Sequence, residues 1–303
     1  MIALLALLAQ TPAAADASVA APNDILQAIV LGIVQGLTEF LPISSSAHLK
    51  VVPVALGWPD RGVAYTAIIQ LGSIVAVLLY FWKDLTNIAI GAFKAIRRSD
   101  YDSQEFRMAL GIGLGTLPII FFGLLIKIFV KDFDKSPLRS LGAIATASIV
   151  MSLLLAMAEK TGKRDRDYEK LDVKDGIIMG LAQAMAIIPG VSRSGSTLTA
   201  GLFLGLERGA AARFSFLLGI PAITLAGLVE LKGALGEGLG EAGVVALIVG
   251  TISAFIFSYI SIAWLMKFLQ TQNTWVFVWY RLAFGVAILT ALAGGVLKNS
   301  SLQ

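Results

Sequence analysis

Residues 35–48, QGLTEFLPISSSAH, decide the fold, because this polar run lies inside sequence apolar enough to be a membrane segment. It contains Glu39, three consecutive serines and His48, the only histidine of the chain. Ionisable side chains at bilayer depth are energetically costly, so they indicate a functional site. A single histidine also excludes any mechanism that requires two imidazoles. The stretch therefore predicts both a break in a membrane helix and a reactive site at that break.

A second region has the same design: the apolar segment 176–206 is broken by PGVSRSGST at 189–197. The first run interrupts the apolar segment 25–56 in the same way. Each half is expected to have about 10–17 residues, fewer than the roughly 20 that cross a bilayer as a helix. Non-helical backbone at membrane depth is tolerated only inside protein or along a water-filled cavity. We therefore predict two re-entrant helix–loop–helix hairpins.

The composition places the rest of the chain in the membrane as well. Of its 303 residues, 57% are apolar and only 15% are charged, which indicates an all-α integral membrane protein. Six segments are predicted as full transmembrane helices: 63–82, 108–129, 138–158, 210–231, 243–268 and 277–297. The amphipathic segment 86–98 suits a helix at the membrane surface. The net charge of +4 does not indicate nucleic acid, because the basic residues cluster in loops that face membrane lipids.

The two broken regions match each other at a nearly constant offset. Four residues, Gly32, Gln35, Ser44 and Ser46, have counterparts 148 positions later in Gly180, Gln183, Ser192 and Ser194. This offset predicts one membrane domain, 25–297, built from a first repeat at 25–158 and a second at 176–297. Each repeat holds one hairpin and three spans, so the second repeat must be inverted relative to the first. The two hairpins would then enter from opposite faces and meet near the midplane.

Loop charge predicts the orientation in the membrane. The basic loops 83–107 and 160–174 are expected on the cytoplasmic side, so both termini face outward. Residues 1–24 are interpreted as an N-terminal extension. They contain an A-x-A pattern typical of signal cleavage but no basic region before it, which leaves their cleavage open.

The second hairpin carries the residue types that bind phosphate. Glycines let backbone N–H groups approach an anion, and the start of a helix adds its positive dipole end. Arg193 adds a planar fork for bidentate phosphate binding, and Ser192, Ser194 and Thr197 add hydroxyls. The spacing does not match the Walker A motif, so nucleotide hydrolysis is not supported. The sequence therefore predicts a phosphate cradle in this loop.

The first hairpin carries the reactive groups. Glu39 is suited to bind a divalent cation or to act as a base, and Ser44, Ser45 and Ser46 are candidate nucleophiles or phosphate donors. His48 is suited to transfer protons or to attack phosphorus itself. Ser45 and His48 lie three positions apart, so they share a helix face if the second arm begins near Ser45.

Other polar residues of the spans have simpler interpretations. Buried hydroxyls usually bond to their own helix or support close helix packing, and we expect this of Ser73, Thr116, Ser148, Ser152, Ser253 and Ser258. Arg281 either anchors a span at the membrane interface or extends the anion site, and its position near a span end favours the interface.

Two motifs resemble those of a known family. Gln35-x-x-x-Glu39 matches the pattern (E/Q)-x-x-x-E, the following Pro-Ile-Ser-Ser-Ser-Ala-His matches its continuation, and residues 189–197 match P-G-x-S-R-S-x-x-T. Over residues 23–297 the chain resembles the undecaprenyl-diphosphate phosphatase family of bacterial membrane enzymes, the bacitracin-resistance type. That family has six spans and two re-entrant hairpins in an inverted repeat. The resemblance implies removal of the terminal phosphate from undecaprenyl diphosphate in the bacterial inner membrane, which recycles the carrier lipid of cell-wall synthesis.

The resemblance also implies roles for single residues. Glu39, with Gln35, would bind a divalent cation, Mg²⁺ or Ca²⁺, although the neutral Gln35 leaves one carboxylate in the motif. Ser45 would be the nucleophile with His48 assisting, or His48 would attack in its place. The remaining predicted substrate contacts are Ser44, Ser46, Ser192, Arg193, Ser194 and Thr197.

An inverted-repeat transporter or flippase for an anionic or lipid-phosphate substrate is the alternative, because broken helices and a midplane anion site are typical of transporters. In that case Glu39 and His48 would relay protons across the membrane. The sequence does not indicate the oligomeric state.

Overall fold

The computed structural model describes residues 22–59, 61–130, 133, 136–237 and 243–299, and the extension before residue 22 lies outside them. Eleven α-helices account for most of these residues. They are α1 (Pro22–Phe40), α2 (Ser45–Leu56), α3 (Gly62–Tyr80), α4 (Trp82–Arg98), α5 (Gln104–Phe129), α6 (Leu141–Thr161), α7 (Val173–Ala184), α8 (Arg193–Phe203), α9 (Arg208–Glu237), α10 (Val244–Thr271) and α11 (Trp275–Ala293).

Five of these helices, α5, α6, α9, α10 and α11, are each long and apolar enough to cross a membrane. A sixth candidate span is the pair α3 and α4, which is apolar and long enough only when taken together and is bent by 64° between the two helices. The bend agrees with the predicted surface helix at 86–98, because α4 leaves the direction of the span at its start. The chain is therefore an all-α, multi-pass membrane protein, as its composition predicts.

Two helix pairs form the broken segments. The first is α1 followed by α2, and the second is α7, the 3₁₀ turn Met185–Ile187 and α8. The expected short length is wrong for α1, which has 19 residues. Its first turn is polar, since Asp24 and Gln27 both accept hydrogen bonds from Arg61 at the start of α3. The additional length therefore lies at a polar end of the helix, and its other end carries Glu39 into the protein.

Glycines bring the first arm of each hairpin against a span of the other half of the chain. A Cβ atom at Gly32 of α1 would lie 2.4 Å from the carbonyl oxygen of Gly250 in α10. A Cβ atom at Gly180 of α7 would lie 2.1 Å from the carbonyl oxygen of Gly115 in α5. Small residues permit such close helix packing in membranes. Both hairpins are thereby held against the spans. The internal duplication of residues 25–158 and 176–297 stays a prediction.

The largest apolar core lies directly beside the end of α1. Phe40 is fully buried and packs edge to face on Phe216 of α9, with the ring centroids 5.5 Å apart. Phe216 also contacts Phe81 at the junction of α3 and α4, at 5.8 Å. Edge-to-face aromatic pairs are a favourable arrangement in cores. This packing fixes the position of the residue before Phe40, which is Glu39.

Polar contacts hold the start of the second hairpin. Asp172 and Asp175 form a capping box at the N-terminus of α7. Both carboxylate oxygens of Asp175 also accept hydrogen bonds from Arg166, at 2.8 and 2.6 Å. This bond raises the pKa of Arg166. The pair is bidentate, and such pairs fix orientation as well as distance, so the direction in which α7 enters the protein is set before the loop begins.

Candidate active site

Each hairpin reverses its direction at a serine in a rare backbone conformation. Ser44 has φ 75° and ψ 101°, and Ser192 has φ 72° and ψ 116°. A positive φ is uncommon outside glycine, and strained residues of this kind cluster at functional sites. In both loops the serine hydroxyl lies beside the hydroxyl two positions on, that of Ser46 at 3.1 Å and that of Ser194 at 3.3 Å. The two loops thus share one backbone geometry.

Glu39 lies at the contact between the two hairpins. Its Oε2 atom accepts a hydrogen bond from the Ser45 hydroxyl at 2.6 Å and another from Nε2 of Gln35 at 3.2 Å. Its Oε1 atom accepts from Nη2 of Arg193 at 3.2 Å, in an ion pair whose side chains are both 10% exposed. Because Glu39 and Arg193 belong to different hairpins, this pair joins the two halves of the site. The predicted residues Gln35, Glu39, Ser45 and Arg193 are therefore brought together.

Arg193 keeps one donor group free for a ligand. Its Nη1 atom is buried and has no hydrogen-bond partner among the described residues. Buried donors without a partner are costly and call for an explanation, such as a ligand. The guanidinium occupies space that Gly219 of α9 leaves open, since a Cβ atom there would lie 1.6 Å from Nη1. Arg193 is also the first residue of α8, where the helix dipole attracts anions. A buried cation, an N–H donor without a described partner and a helix N-terminus are features that suit an anion.

The predicted hydroxyls of the second hairpin bond within the protein. The Ser192 hydroxyl accepts from the backbone N–H three residues later at 3.1 Å, which caps α8. Ser194 donates to the carbonyl oxygen of Leu41 at 3.0 Å, and so ties the second loop to the first. The Thr197 hydroxyl lies 2.5 Å from that of Ser215 in α9. These three hydroxyls therefore shape the anion position by holding the loop in place.

His48 does not bond to Ser45, although both lie at the start of α2 as predicted. Its Nδ1 atom lies 2.7 Å from the carbonyl oxygen of Ser44, and its Nε2 atom lies 2.6 Å from the hydroxyl of Tyr280. A carbonyl oxygen only accepts, so Nδ1 carries the proton and Nε2 accepts from the tyrosine. The ring of Phe284 stacks on the imidazole with centroids 4.4 Å apart. The structure thus pairs Ser45 with Glu39 and holds His48 beside the strained Ser44.

Arg281 lies in the protein interior, so the expected interface position is wrong. It is 1% exposed, and it donates hydrogen bonds to four backbone carbonyls in three segments. These belong to Ser148 of α6, to Pro42 in the first loop, and to Gly190 and Val191 in the second loop. Its guanidinium therefore ties the tips of both hairpins together.

Sequence reasoning missed Tyr280 entirely and misplaced Arg281. Both residues follow Trp275 and Trp279 in a span whose beginning is rich in aromatic residues. Aromatic and basic residues in such a place are typical of the membrane interface. The only contrary signal is that these two polar residues follow one another in an otherwise apolar helix.

The donor set for a divalent cation is small. The described residues contain no group of three or more histidine, aspartate and glutamate side chains that would hold a metal ion. Glu39 is the single carboxylate at the contact between the hairpins. Mg²⁺ is commonly held by one or two carboxylates together with phosphate oxygens of the substrate and water. The residues present therefore fit an ion that arrives with a phosphate ligand.

Comparison with known proteins identifies the family of the chain. The family model described as bacitracin resistance protein BacA matches residues 28–287, a range that includes the loops of both hairpins. The chain belongs to this family.

Similar curated proteins cover nearly the same range. A protein of Nostoc sp. named undecaprenyl-diphosphatase is 70% identical over 91% of this chain and 87% of its own length. Proteins of the same name from Synechocystis sp. and Synechococcus elongatus are 68% and 63% identical. The matched regions cover 90% and 91% of this chain, and 83% and 96% of the lengths of the two relatives, respectively.

Proposed function

We propose that this protein hydrolyses undecaprenyl diphosphate to undecaprenyl phosphate and inorganic phosphate. The contact of Ser45, Glu39 and Arg193 carries the proposal, because a hydroxyl, a carboxylate and a guanidinium meet between the hairpins. These groups are suited to act as nucleophile, base and phosphate-binding cation. The family membership and the names of the relatives support the same activity. A lipid diphosphate also suits the architecture, since its apolar tail can stay in the bilayer while the headgroup enters the protein.

The first step is attack by Ser45 on the terminal phosphorus. The Ser45 hydroxyl already donates to Glu39 at 2.6 Å, so the carboxylate is in place to take the proton. A bond forms between the serine oxygen and phosphorus, and the bond from phosphorus to the bridging oxygen breaks. Undecaprenyl phosphate leaves with the electron pair of that bond. Ser45 is half-buried and Ser46 is exposed, so the nucleophile lies near an opening.

The second step releases inorganic phosphate. A water molecule attacks the phosphorus of the phosphoserine and gives one proton to a phosphoryl oxygen. The bond from phosphorus to the serine oxygen breaks, the proton held by Glu39 returns to Ser45, and dihydrogen phosphate leaves. Charge on the transferring phosphoryl group is stabilised by Arg193, whose Nη1 has a free N–H donor, and by the N-terminus of α8. His48 is less suited to be the nucleophile, because the Nε2 lone pair that would attack already accepts a hydrogen bond from Tyr280.

A divalent cation, Mg²⁺ or Ca²⁺, is part of the proposal. Glu39 would hold it from the protein side, and the diphosphate oxygens would supply further ligands. Such an ion neutralises charge on the transferring phosphate. The requirement for six to eight oxygen ligands makes Ca²⁺ the poorer match for a site with one carboxylate.

We also propose that the protein lies in the bacterial inner membrane with both termini outward. The basic loops 83–107 and 160–174 support this orientation. The product, undecaprenyl phosphate, would return to cell-wall synthesis, which links the activity to bacitracin resistance.

Purified protein in detergent is the direct test. It is given undecaprenyl diphosphate with Mg²⁺ or with Ca²⁺, and the release of inorganic phosphate is measured. Ser45→Ala and Arg193→Ala should each abolish release, while Ser253→Ala, a buried serine that bonds to the Ile29 carbonyl, should keep the wild-type rate. If wild-type protein releases no inorganic phosphate with either ion, the proposed hydrolysis is contradicted and the transporter alternative is left.

A further inference from the structure

Two buried hydroxyls form a pair that the proposed mechanism does not use. Ser73 of α3 and Ser258 of α10 are both completely buried. The Ser258 hydroxyl donates to the Ser73 oxygen at 2.8 Å. Of the two roles that the sequence predicts for such serines, bonding to their own helix or supporting close helix packing, the pair has the second, because it joins two helices from different halves of the chain.

The pair continues toward the proposed base. Nε2 of Gln35 lies 3.4 Å from the Ser73 oxygen and 3.2 Å from Oε2 of Glu39. The same Oε2 accepts from Ser45 at 2.6 Å. A chain of hydrogen bonds therefore runs from the interior between α3 and α10, through one amide group, to the carboxylate that holds the nucleophile.

Glycines hold in place the helices on which this series of hydrogen bonds begins. A Cβ atom at Gly36 of α1 would lie 2.8 Å from the backbone nitrogen of Ser258. A Cβ atom at Gly72 of α3 would lie 2.2 Å from the carbonyl oxygen of Thr251 in α10. Because α1 and α3 both approach α10 this closely, the side chains between them have little freedom to rearrange.

The direction of the hydrogen bonds around Gln35 indicates what the pair of serines does. An amide side chain has a donor end and an acceptor end of almost equal shape, and only its hydrogen-bond partners determine which end faces where. The Ser73 oxygen accepts from Gln35, so the NH₂ end faces both the serine and Glu39. If the amide rotated by half a turn, its carbonyl oxygen would face the carboxylate and repel it.

We propose that Ser73 and Ser258 are positioning residues that hold the amide group of Gln35 in place, with its NH₂ end toward Glu39, and through it the carboxylate of Glu39. Ser258 contributes because its donated hydrogen bond uses one lone pair of the Ser73 oxygen and holds that oxygen toward Gln35. The inference rests on the proposed hydrolysis of undecaprenyl diphosphate. It assigns a catalytic consequence to hydroxyls that touch neither the substrate nor the reacting atoms.

Two serines of the same helix provide matched controls. Ser253 and Ser261 of α10 also bond across to α1, but each donates directly to a backbone carbonyl, those of Ile29 and Leu37. These two serines join α10 to α1 as the proposed pair joins α10 to α3, but they make no hydrogen bond to Gln35. Ser253→Ala and Ser261→Ala should therefore keep the wild-type kcat, even if their thermal stability falls.

The experiment is a set of double-mutant cycles measured by phosphate release. Ser73→Ala and Ser258→Ala should each lower kcat about fivefold with KM unchanged, the effect of one hydrogen bond of ordinary strength. Ser258→Thr, which keeps the hydroxyl, should restore most of the rate. In a Gln35→Leu background the alanine substitutions should have no further effect, because the group that they orient is gone.

The outcomes separate the two proposals. Wild-type protein without activity contradicts the hydrolysis itself. An active wild type with a wild-type kcat in both alanine variants overturns the positioning role. The positioning role is also overturned if the alanine substitutions lower kcat by the same factor in the Gln35→Leu background as in the wild type. If one alanine variant fails to fold, as seen from thermal melting in detergent, the other variant and Ser258→Thr give the same decision.

Discussion

The two hairpins have the same backbone at their turns and different chemistry around it. Ser44 and Ser192 adopt nearly the same φ and ψ. Gln35 and Gln183, which lie 148 positions apart, differ sharply in their surroundings. Gln35 bonds to a carboxylate and a serine, whereas neither amide atom of the fully buried Gln183 has a partner among the described residues.

The residues around these glutamines explain the difference. Glu39, a partner of Gln35, corresponds to Ile187 at the 148-residue offset. Leu71-Gly72 of the first half matches Leu218-Gly219 of the second, 147 positions later. At that offset Ser73, the other partner of Gln35, corresponds to Ile220. The comparison teaches that the loop geometry is common to both hairpins, while the proposed base and nucleophile lie in the first and the proposed phosphate-binding cation lies in the second. Neither hairpin holds a complete site.

The largest effect is expected from Glu39→Gln, a change that keeps the size of the side chain. It should lower kcat about 100-fold or more, because the proton acceptor of Ser45 is lost. The matched change in the second hairpin, Arg193→Lys, should raise KM as well, since lysine lacks the bidentate fork. Steady-state phosphate release measures both. Equal effects on kcat and on KM in the two variants would contradict separate roles for the hairpins, with the base in the first and phosphate binding in the second.

The second prediction compares two glycines that occupy equivalent Leu-Gly pairs. Gly219→Ala should lower activity by about 100-fold with little loss of stability, because the new methyl group displaces the flexible guanidinium of Arg193. Gly72→Ala should instead destabilise the fold, because its methyl group meets the rigid carbonyl oxygen of Thr251. Activity and thermal melting in detergent distinguish them. Gly123→Ala, where a Cβ atom would meet nothing within 4 Å, is the control.

Replacing each glutamine by leucine gives the third prediction. Gln35→Leu should lower kcat about tenfold, because Glu39 loses a charge-assisted hydrogen bond. Gln183→Leu should keep full activity and raise the free energy of unfolding by about 1 kcal/mol, since it removes a buried amide without partners. A clear loss of activity in Gln183→Leu would show that the second glutamine also serves the reaction.

The smallest effect is expected at the turn serines. Ser192→Ala should cost about 1 kcal/mol of stability, because the Ser192 hydroxyl caps α8. Ser44→Ala should cost less, since the Ser44 side chain makes no capping bond to α2. Thermal melting of both variants checks the order. The reverse order would mean that the contact of Ser44 with Ser46 supports the turn more than the cap does.

The sequence predicts the parts of this molecule that depend on residue type and local pattern. The apolar spans, the two breaks and the polar residues at those breaks follow from the cost of burying charge in a bilayer. Glu39 and Arg193 are predicted as site residues for that reason.

Long-range partners are harder to predict from the sequence. Tyr280 lies 232 positions from His48, and Ser258 lies 185 positions from Ser73. Local spacing also favours a pair of Ser45 and His48, because residues three apart share a helix face. Only the three-dimensional structure shows that the imidazole ring faces Tyr280 in another helix.

The contacts of Arg281 make the junction of the hairpins insensitive to most side chains around it. All four of its acceptors are backbone carbonyls, so the bonds persist whatever side chains stand at Pro42 and Val191. Only shape is constrained: Gly190 has φ +93°, and a Cβ atom there would lie 2.5 Å from the carbonyl oxygen of Ile144. One guanidinium therefore keeps the two loops in register through main-chain atoms alone.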